Sequence, residues 1–241
     1  MLLEICANSY ESAANAQVAG AQRIELCSEL AVGGITPSYG LLTKVMKDLN
    51  IPVHMLIRPR SGDFTYSEAE FDIMKANIQW CKDLGCAGIV SGVLHKDFTI
   101  DIARTETLVA HAKPLSFTFH RAFDWVPNPK EAVKMLVDVN VDRVLTSGQA
   151  TSATKGIILI KELQEIAQNK LIIMPGGGIG PDNVMLFKEY GFQEIHCSAT
   201  ELYQTIGKPT ISMNSQKLLQ DTKIATSNIQ KIKKILSQIH S

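Results

Sequence analysis

Acids, bases and thiols recur along this chain at a spacing of two residues. Glu4 and Cys6 share one parity against Leu3 and Ile5, and Arg23, Glu25 and Cys27 share one against Ile24 and Leu26. His54, Arg58 and Arg60 follow the same rule in a third run, with Leu56 among them. Thr118 and His120 do so against Phe117 and Phe119, and Glu194, His196 and Ser198 against Ile195 and Cys197. Successive strand side chains point to opposite faces, so each run sets its polar members on one side. Turned toward one cavity, they offer acid–base chemistry. Glu4 or Glu25 would be the base and His54 or His120 the acid, with Asp124 a further candidate.

Cys6 and Cys27 would end neighbouring parallel strands on the same parity, bringing their sulfurs together. Two soft thiolates with no hard-ligand cage favour Cu(I), which two ligands can hold. The competing reading is that buried cysteine is simply a small hydrophobe. Cys81, Cys86 and Cys197 read as structural.

Two basic loops and one glycine-rich loop point to an anion. Arg58 and Arg60 lie in Arg58-Pro59-Arg60-Ser61-Gly62-Asp63-Phe64, and Arg121 in His120-Arg121-Ala122-Phe123-Asp124. Their guanidinium forks match carboxylate or phosphate, unless Arg58 and Arg121 are spent on Glu4, Glu25 or Asp124. Gly176, Gly177 and Gly178 stand where barrels commonly bind phosphate, and their backbone N–H groups would attract an anion. Ser147 and Gly148 would add donors. Glycines can also mark no more than a tight turn.

These groups need elements to position them. Eight β-rich runs read as strands: Leu3 to Cys6, Arg23 to Cys27, Val53 to Ile57, Gly88 to Val93, Ser116 to His120, Arg143 to Thr146, Leu171 to Met174 and Glu194 to Cys197. Helical patterns separate them. Ser67 with Glu70 reads as a capping box, and Thr36-Pro37 and Gly180-Pro181 as helix starts. Gly20, Gly85 and Gly191 stand where helices should stop. Strands alternating with helices demand parallel crossovers, which gives an α/β chain forming a single (β/α)8 TIM-type barrel over residues 1–241. The first strand lacks the glycine fingerprint of a dinucleotide fold. Residues 202–241 read as a loop, Leu202 to Asn214, and a final helix capped at Thr226-Ser227 and running through Ile235 and Ile239. Functional groups of such barrels sit at the C-terminal strand ends, where most of these residues fall. A buried ion-pair network that only fixes packing is the alternative.

Composition narrows the partners. The 24 basic and 24 acidic residues balance, and Lys231, Lys233 and Lys234 read as a solvated helix face, so nucleic acid is not expected. No run is long enough to span a membrane, and Met1-Leu2-Leu3-Glu4-Ile5-Cys6 is not a signal peptide. Five irregularly spaced cysteines suit the reducing cytoplasm.

The runs Arg23 to Ser28, Gly33 to Ser38, Pro52 to Arg60, Thr118 to Asp124, Leu145 to Gly148 and Ile173 to Gly178 resemble the CutC copper homeostasis proteins, in the family's order, over roughly residues 1 to 200. The resemblance implies a cytoplasmic barrel, homodimeric or a higher homo-oligomer. It also implies copper handling, with Cu(I) at Cys6 and Cys27. Two departures stand out: Ser91 replaces a usual Phe and Gln149 a usual Gly, so the pocket wall and sixth loop are expected to differ. The expected function is copper homeostasis, with no organic cofactor. The alternatives are an isomerase, lyase or hydrolase acting on a small phosphorylated or carboxylated metabolite, and an interaction scaffold without chemistry.

Overall fold

Short apolar runs become the staves of a barrel: β1 (Leu2–Ala7), β2 (Arg23–Leu26), β3 (Val53–Leu56), β4 (Gly88–Ser91), β5 (Ser116–Phe119), β6 (Arg143–Thr146), β7 (Ile172–Pro175) and β8 (Glu194–Cys197). The computed structural model describes residues 1–212 and 221–241. All eight strands run parallel in the order β7-β6-β5-β4-β3-β2-β1-β8, and a bridge between Gly176 and His196 closes β7 onto β8. This is the expected (β/α)8 barrel.

The helices are α1 (Tyr10–Ala19), α2 (Tyr39–Asp48), α3 (Glu68–Asp83), α4 (Ile102–Ala112), α5 (Pro129–Asp138), α6 (Ile157–Ala167), α7 (Val184–Glu189) and α8 (Ile229–His240). Ser67 and Glu70 form the expected capping box at α3. At α2 the cap is Ser38 rather than Thr36. Thr36 is used elsewhere, its hydroxyl accepting from the Arg58 N–H and its own N–H donating to the Arg58 carbonyl, which pins the chain to the end of β3. At α7 a turn carries Pro181, and the helix begins after Asn183.

The outward residues of the strands, Leu3, Ile5, Ile24, Leu26, Val53 and Met55 among them, are buried against the helices in the main core. The inner face holds the polar parity, as alternation requires. Inside the barrel a small second apolar cluster joins Cys6 and Cys27 to Leu56 and Val90.

The region after β8 differs from the sequence reading. Thr200–Gln204 (β9) and Lys223–Ser227 (β10) pair antiparallel, where a loop was expected from Leu202. The end of that expected loop, at Asn214, lies outside the described residues. Thr226 and Ser227 belong to β10, and Asn228 caps α8 instead. The hairpin is tied to the turn before α1 by Asn8 Nδ2 donating to the Ala225 carbonyl, and to α1 itself by Asn15 Nδ2 donating to the Ser227 carbonyl. Among the described residues no helix is long and apolar enough to cross a membrane.

Candidate functional site

The strand register stacks two kinds of polar group inside the barrel. Glu4 faces Arg23 on one side and His196 on the other. Its carboxylate is ion-paired to Arg23 and accepts from His196 Nδ1 at 2.8 Å. Arg23 also pairs with Glu194, which receives Arg143 Nε at 2.8 Å. All five side chains are buried. Burial works against the Glu4 anion, but the His196 hydrogen bond and the Arg23 charge outweigh it and hold the carboxyl well below the usual range. Glu4 is therefore a weak base committed to an internal ion network. Arg143 completes that network, and sequence parity alone did not single it out.

His54 belongs to this layer. Its Nδ1 is 3.8 Å from Glu4 Oε2, beyond hydrogen-bonding reach, and a Cβ added at Gly88 would come within 2.6 Å of the ring. Burial pulls its pKa down to about 4, so it is neutral. His54 is not part of the cavity wall described next.

A cavity of about 440 Å³ opens at the C-terminal ends of the strands. Cys6, Glu25, Arg58, His120, Arg121 and Asp124 line it, together with Gly177 and Gly178. On its β1–β2 side, Cys6 Sγ is 3.6 Å from Cys27 Sγ and 3.7 Å from Glu25 Oε1. Cys6, Glu25 and Cys27 bring donor atoms close enough together to hold one ion, and so do Glu4, Glu25 and His196. Glu25 Oε2 is buried with no partner among the described residues, which is a ligand position left open. Burial pushes the Glu25 carboxyl up to about 6. The hydrogen bond with Cys27, then burial, hold the Cys6 thiol protonated well above its ordinary range.

Gly34 covers Cys27. Its φ is +86°, and a Cβ there would lie 2.8 Å from Leu56 Cδ2 and 3.6 Å from Cys27 Sγ. Only a glycine allows the backbone this close. Cys27 has no exposed surface as a result, and Cys6 is the sulfur that meets the cavity.

The basic residues divide. Arg58 pairs with no acid among the described residues. Its guanidinium donates at 2.8 Å to the carbonyls of Val32, Gly34 and Gly62, so it clamps loops. Arg60 lies apart from the cavity, bonded to Glu70 at 2.6 Å and to Asp63 at 3.0 Å. Strand geometry ends at Leu56, so the parity that aligned Arg60 with His54 no longer applies there. Arg121 stays at the mouth, its Nε on Asp124 at 2.7 Å and Nη2 on Ser147 Oγ at 2.8 Å.

Asp124 accepts from Thr146 Oγ1, Ser147 Oγ and the N–H groups of Ser147 and Gln149. A carboxylate so fully engaged positions Arg121 and the β6 loop. Ser147 and Gly148 are not free donors. The Ser147 N–H goes to Asp124, and the Gly148 N–H to Thr146 Oγ1 at 2.9 Å. The Gly176 N–H is likewise used by the Thr146 carbonyl. Gln149 holds its left-handed conformation (φ 56°) with a side-chain bond to the Val126 carbonyl. Ser91 turns its hydroxyl to the Ile57 carbonyl and stays buried. Phe64 and Trp125, with ring centroids 4.8 Å apart, form an aromatic wall that the sequence reading missed. Their places in loops, outside any periodic run, gave no signal of it.

A closed parallel barrel with a polar cavity at the carboxyl ends of its strands defines a (β/α)8 protein, a class whose sites lie at that mouth. The model of the CutC family matches residues 1–201, and the chain belongs to that family. A family protein CutC from Chromobacterium violaceum is 47% identical over 199 residues, covering 82% of this chain and 81% of that relative. The human relative, called copper homeostasis protein cutC homolog, is 48% identical over 199 residues and is covered to 73%. A solved CutC structure from Streptococcus agalactiae superposes with a TM-score of 0.77 at 33% identity, covering 82% of this chain and 98% of that one. A solved aldolase, QR15, shares the fold alone, with a TM-score of 0.60 at 11% identity over 78% of this chain and 82% of its own.

Proposed function

We propose that this protein handles copper, taking Cu(I) at Cys6 and Cys27. The observation that carries the reading is the 3.6 Å approach of the two sulfurs on adjacent strands, with one of them lining the mouth cavity. Soft sulfur ligands select Cu(I) over harder competitors, and a pair is enough for it. The unpartnered Glu25 Oε2 supplies an adjacent oxygen. Both thiols must lose their protons to bind. Glu25 Oε1, already the acceptor for the Cys6 thiol, stands where that sulfur's proton would go. The names of the human and mouse relatives favour the same reading. All five cysteines are free, which suits a cytoplasmic location. A homo-oligomer is the assembly we expect.

Titration of Cu(I) against a competing chelator tests this. The parent should bind one equivalent, and the Cys6→Ser, Cys27→Ser double variant should lose it. Equal binding by the double variant would remove the proposal.

A further inference from the structure

A copper ion held by two sulfurs fills only one corner of the mouth. The cavity's volume of about 440 Å³ lies in the range of small-molecule sites, roughly 300–1,000 Å³. Glu25 beside Cys6 and polar groups across the cavity are also left wanting partners, and they are sorted by type.

The β5–β7 side offers donors, its one carboxylate, Asp124, being already engaged by Arg121, Thr146, Ser147 and Gln149. Arg121 is held by Asp124 and Ser147 through Nε and Nη2, while nothing among the described residues accepts from Nη1. Nη1 stands beside Gly177, where an added Cβ would lie 3.5 Å from it. The Gly178 N–H has no acceptor among the described residues, while the Gly177 N–H faces the His196 carbonyl in the bridge that closes β7 onto β8, and both glycines have positive φ, 102° and 74°. A free N–H group in such a turn, beside an arginine, helps to hold an anion. This loop follows the seventh strand, where barrels of this class commonly bind phosphate.

His120 adds a buried donor. It is 5% exposed and lines the cavity. Its Nδ1 accepts from the Ala122 N–H at 3.2 Å, so the neutral ring carries its proton on Nε2. That Nε2 has no partner among the described residues. Burial, with the Arg58 charge, lowers its pKa to about 3 and keeps the ring neutral. The β1–β2 side offers the reverse, an acceptor, because Glu25 is 5% exposed with Oε2 unpartnered. Leaving such groups unsatisfied is costly, and a ligand of the opposite polarity at each end would remove the cost.

We propose that the barrel mouth is also a binding site for a small polyhydroxylated organic anion, its carboxylate or phosphate on Arg121 and Gly178 and a hydroxyl donating to Glu25. His120 Nε2–H donates to an oxygen between the two ends, and Phe64 and Trp125 wall the open side. This site goes beyond the copper reading and is tested separately, on copper-free protein.

Isothermal titration with D-ribose 5-phosphate, D-ribonate and neutral D-ribose is the experiment. One or both anions should bind while ribose does not, and the anion that binds tells phosphate from carboxylate. Arg121→Ala should weaken that binding by about tenfold or more, since a charge-assisted bond is lost. If that variant does not fold, Arg121→Lys keeps the charge without the fork and should still bind several-fold more weakly. No binding by either anion, equal binding of ribose, or an unchanged affinity in the folded Arg121 variant would overturn the proposal.

Discussion

Cys6 on β1 and Glu25 on β2 are in-register neighbours, and the Cys6 thiol donates to Glu25 Oε1 at 3.7 Å. The neighbouring thiol and burial raise the Cys6 pKa well above the ordinary range, so Cu(I) must displace a proton there at any physiological pH. Affinity for Cu(I) should therefore rise by about tenfold per pH unit for each proton displaced, up to two. Competition titrations between pH 6.5 and 8.5 check this. A flat profile would mean that the sulfurs are not the ligands.

Glu194 neutralises two buried arginines at once, Arg23 and Arg143. Replacing it with Ala leaves both guanidinium groups with less compensation in a closed interior, Arg23 retaining only Glu4 as an acid. Breaking a buried network in this way costs about 3–5 kcal/mol. The shift in the urea midpoint of Glu194→Ala measures it. A change near zero would mean that water reaches this layer.

Much of this was legible in the sequence, for a physical reason. Strand alternation is strict, so the polar parity of Glu4, Glu25, His120 and His196 pointed inward wherever the chain stayed extended. The barrel follows from the regular alternation of strands and helices. Parity failed where extension ended: Arg60, four residues beyond the last residue of β3, turns to Glu70. Residue type also could not divide Glu4 from Glu25, or His54 from His120. That division depends on which partner each meets across the barrel, and Arg23, Arg143 and Glu194 come from three strands distant in the chain. The β9–β10 hairpin was missed because Leu202 to Gln204 and Lys223 to Ser227 are short and mostly exposed, with no apolar alternation to mark them.

Gly34 packs against Leu56 and covers Cys27. Gly34→Ala would force an L residue into a left-handed backbone with its Cβ 2.8 Å from a buried leucine methyl. Overpacking of this kind typically costs about 1–3 kcal/mol, with backbone strain in addition. The displaced loop should also open Cys27, so its reaction with a thiol reagent should accelerate while thermal stability falls. A variant as stable as the parent, with Cys27 still protected, would show that the loop yields without strain.

Buried histidines contribute to the acid response, beside Glu4 and Glu194, whose lowered pKa values act in the same direction. His54 and His120 are neutral in the fold, with pKa values lowered by burial to about 4 and about 3. The unfolded chain protonates each near pH 6.5. Below that pH the unfolded state binds protons that the folded state refuses, so both groups make stability fall as pH falls. The window runs from about 6.5 to 4 for His54 and on to about 3 for His120. His196 has the opposite sign. Burial lowers its pKa, but the Glu25 and Glu4 charges raise it overall, so its contribution is present below pH 6.5 and disappears as pH rises through the folded value. Glu25, raised to about 6, likewise favours the fold as pH falls from there toward its unfolded value. The opposing terms blur the parent's profile, and a single variant separates them. His120→Gln removes one titration and adds a pH-independent loss of packing. The folding equilibrium of the parent relative to this variant should then decline by up to about tenfold per pH unit below 6.5. Urea unfolding of both proteins at pH 7, 6 and 5 gives the difference directly. A gap that does not change with pH would mean that His120 takes up its proton inside the fold, and the buried neutral donor at the mouth would be lost with it.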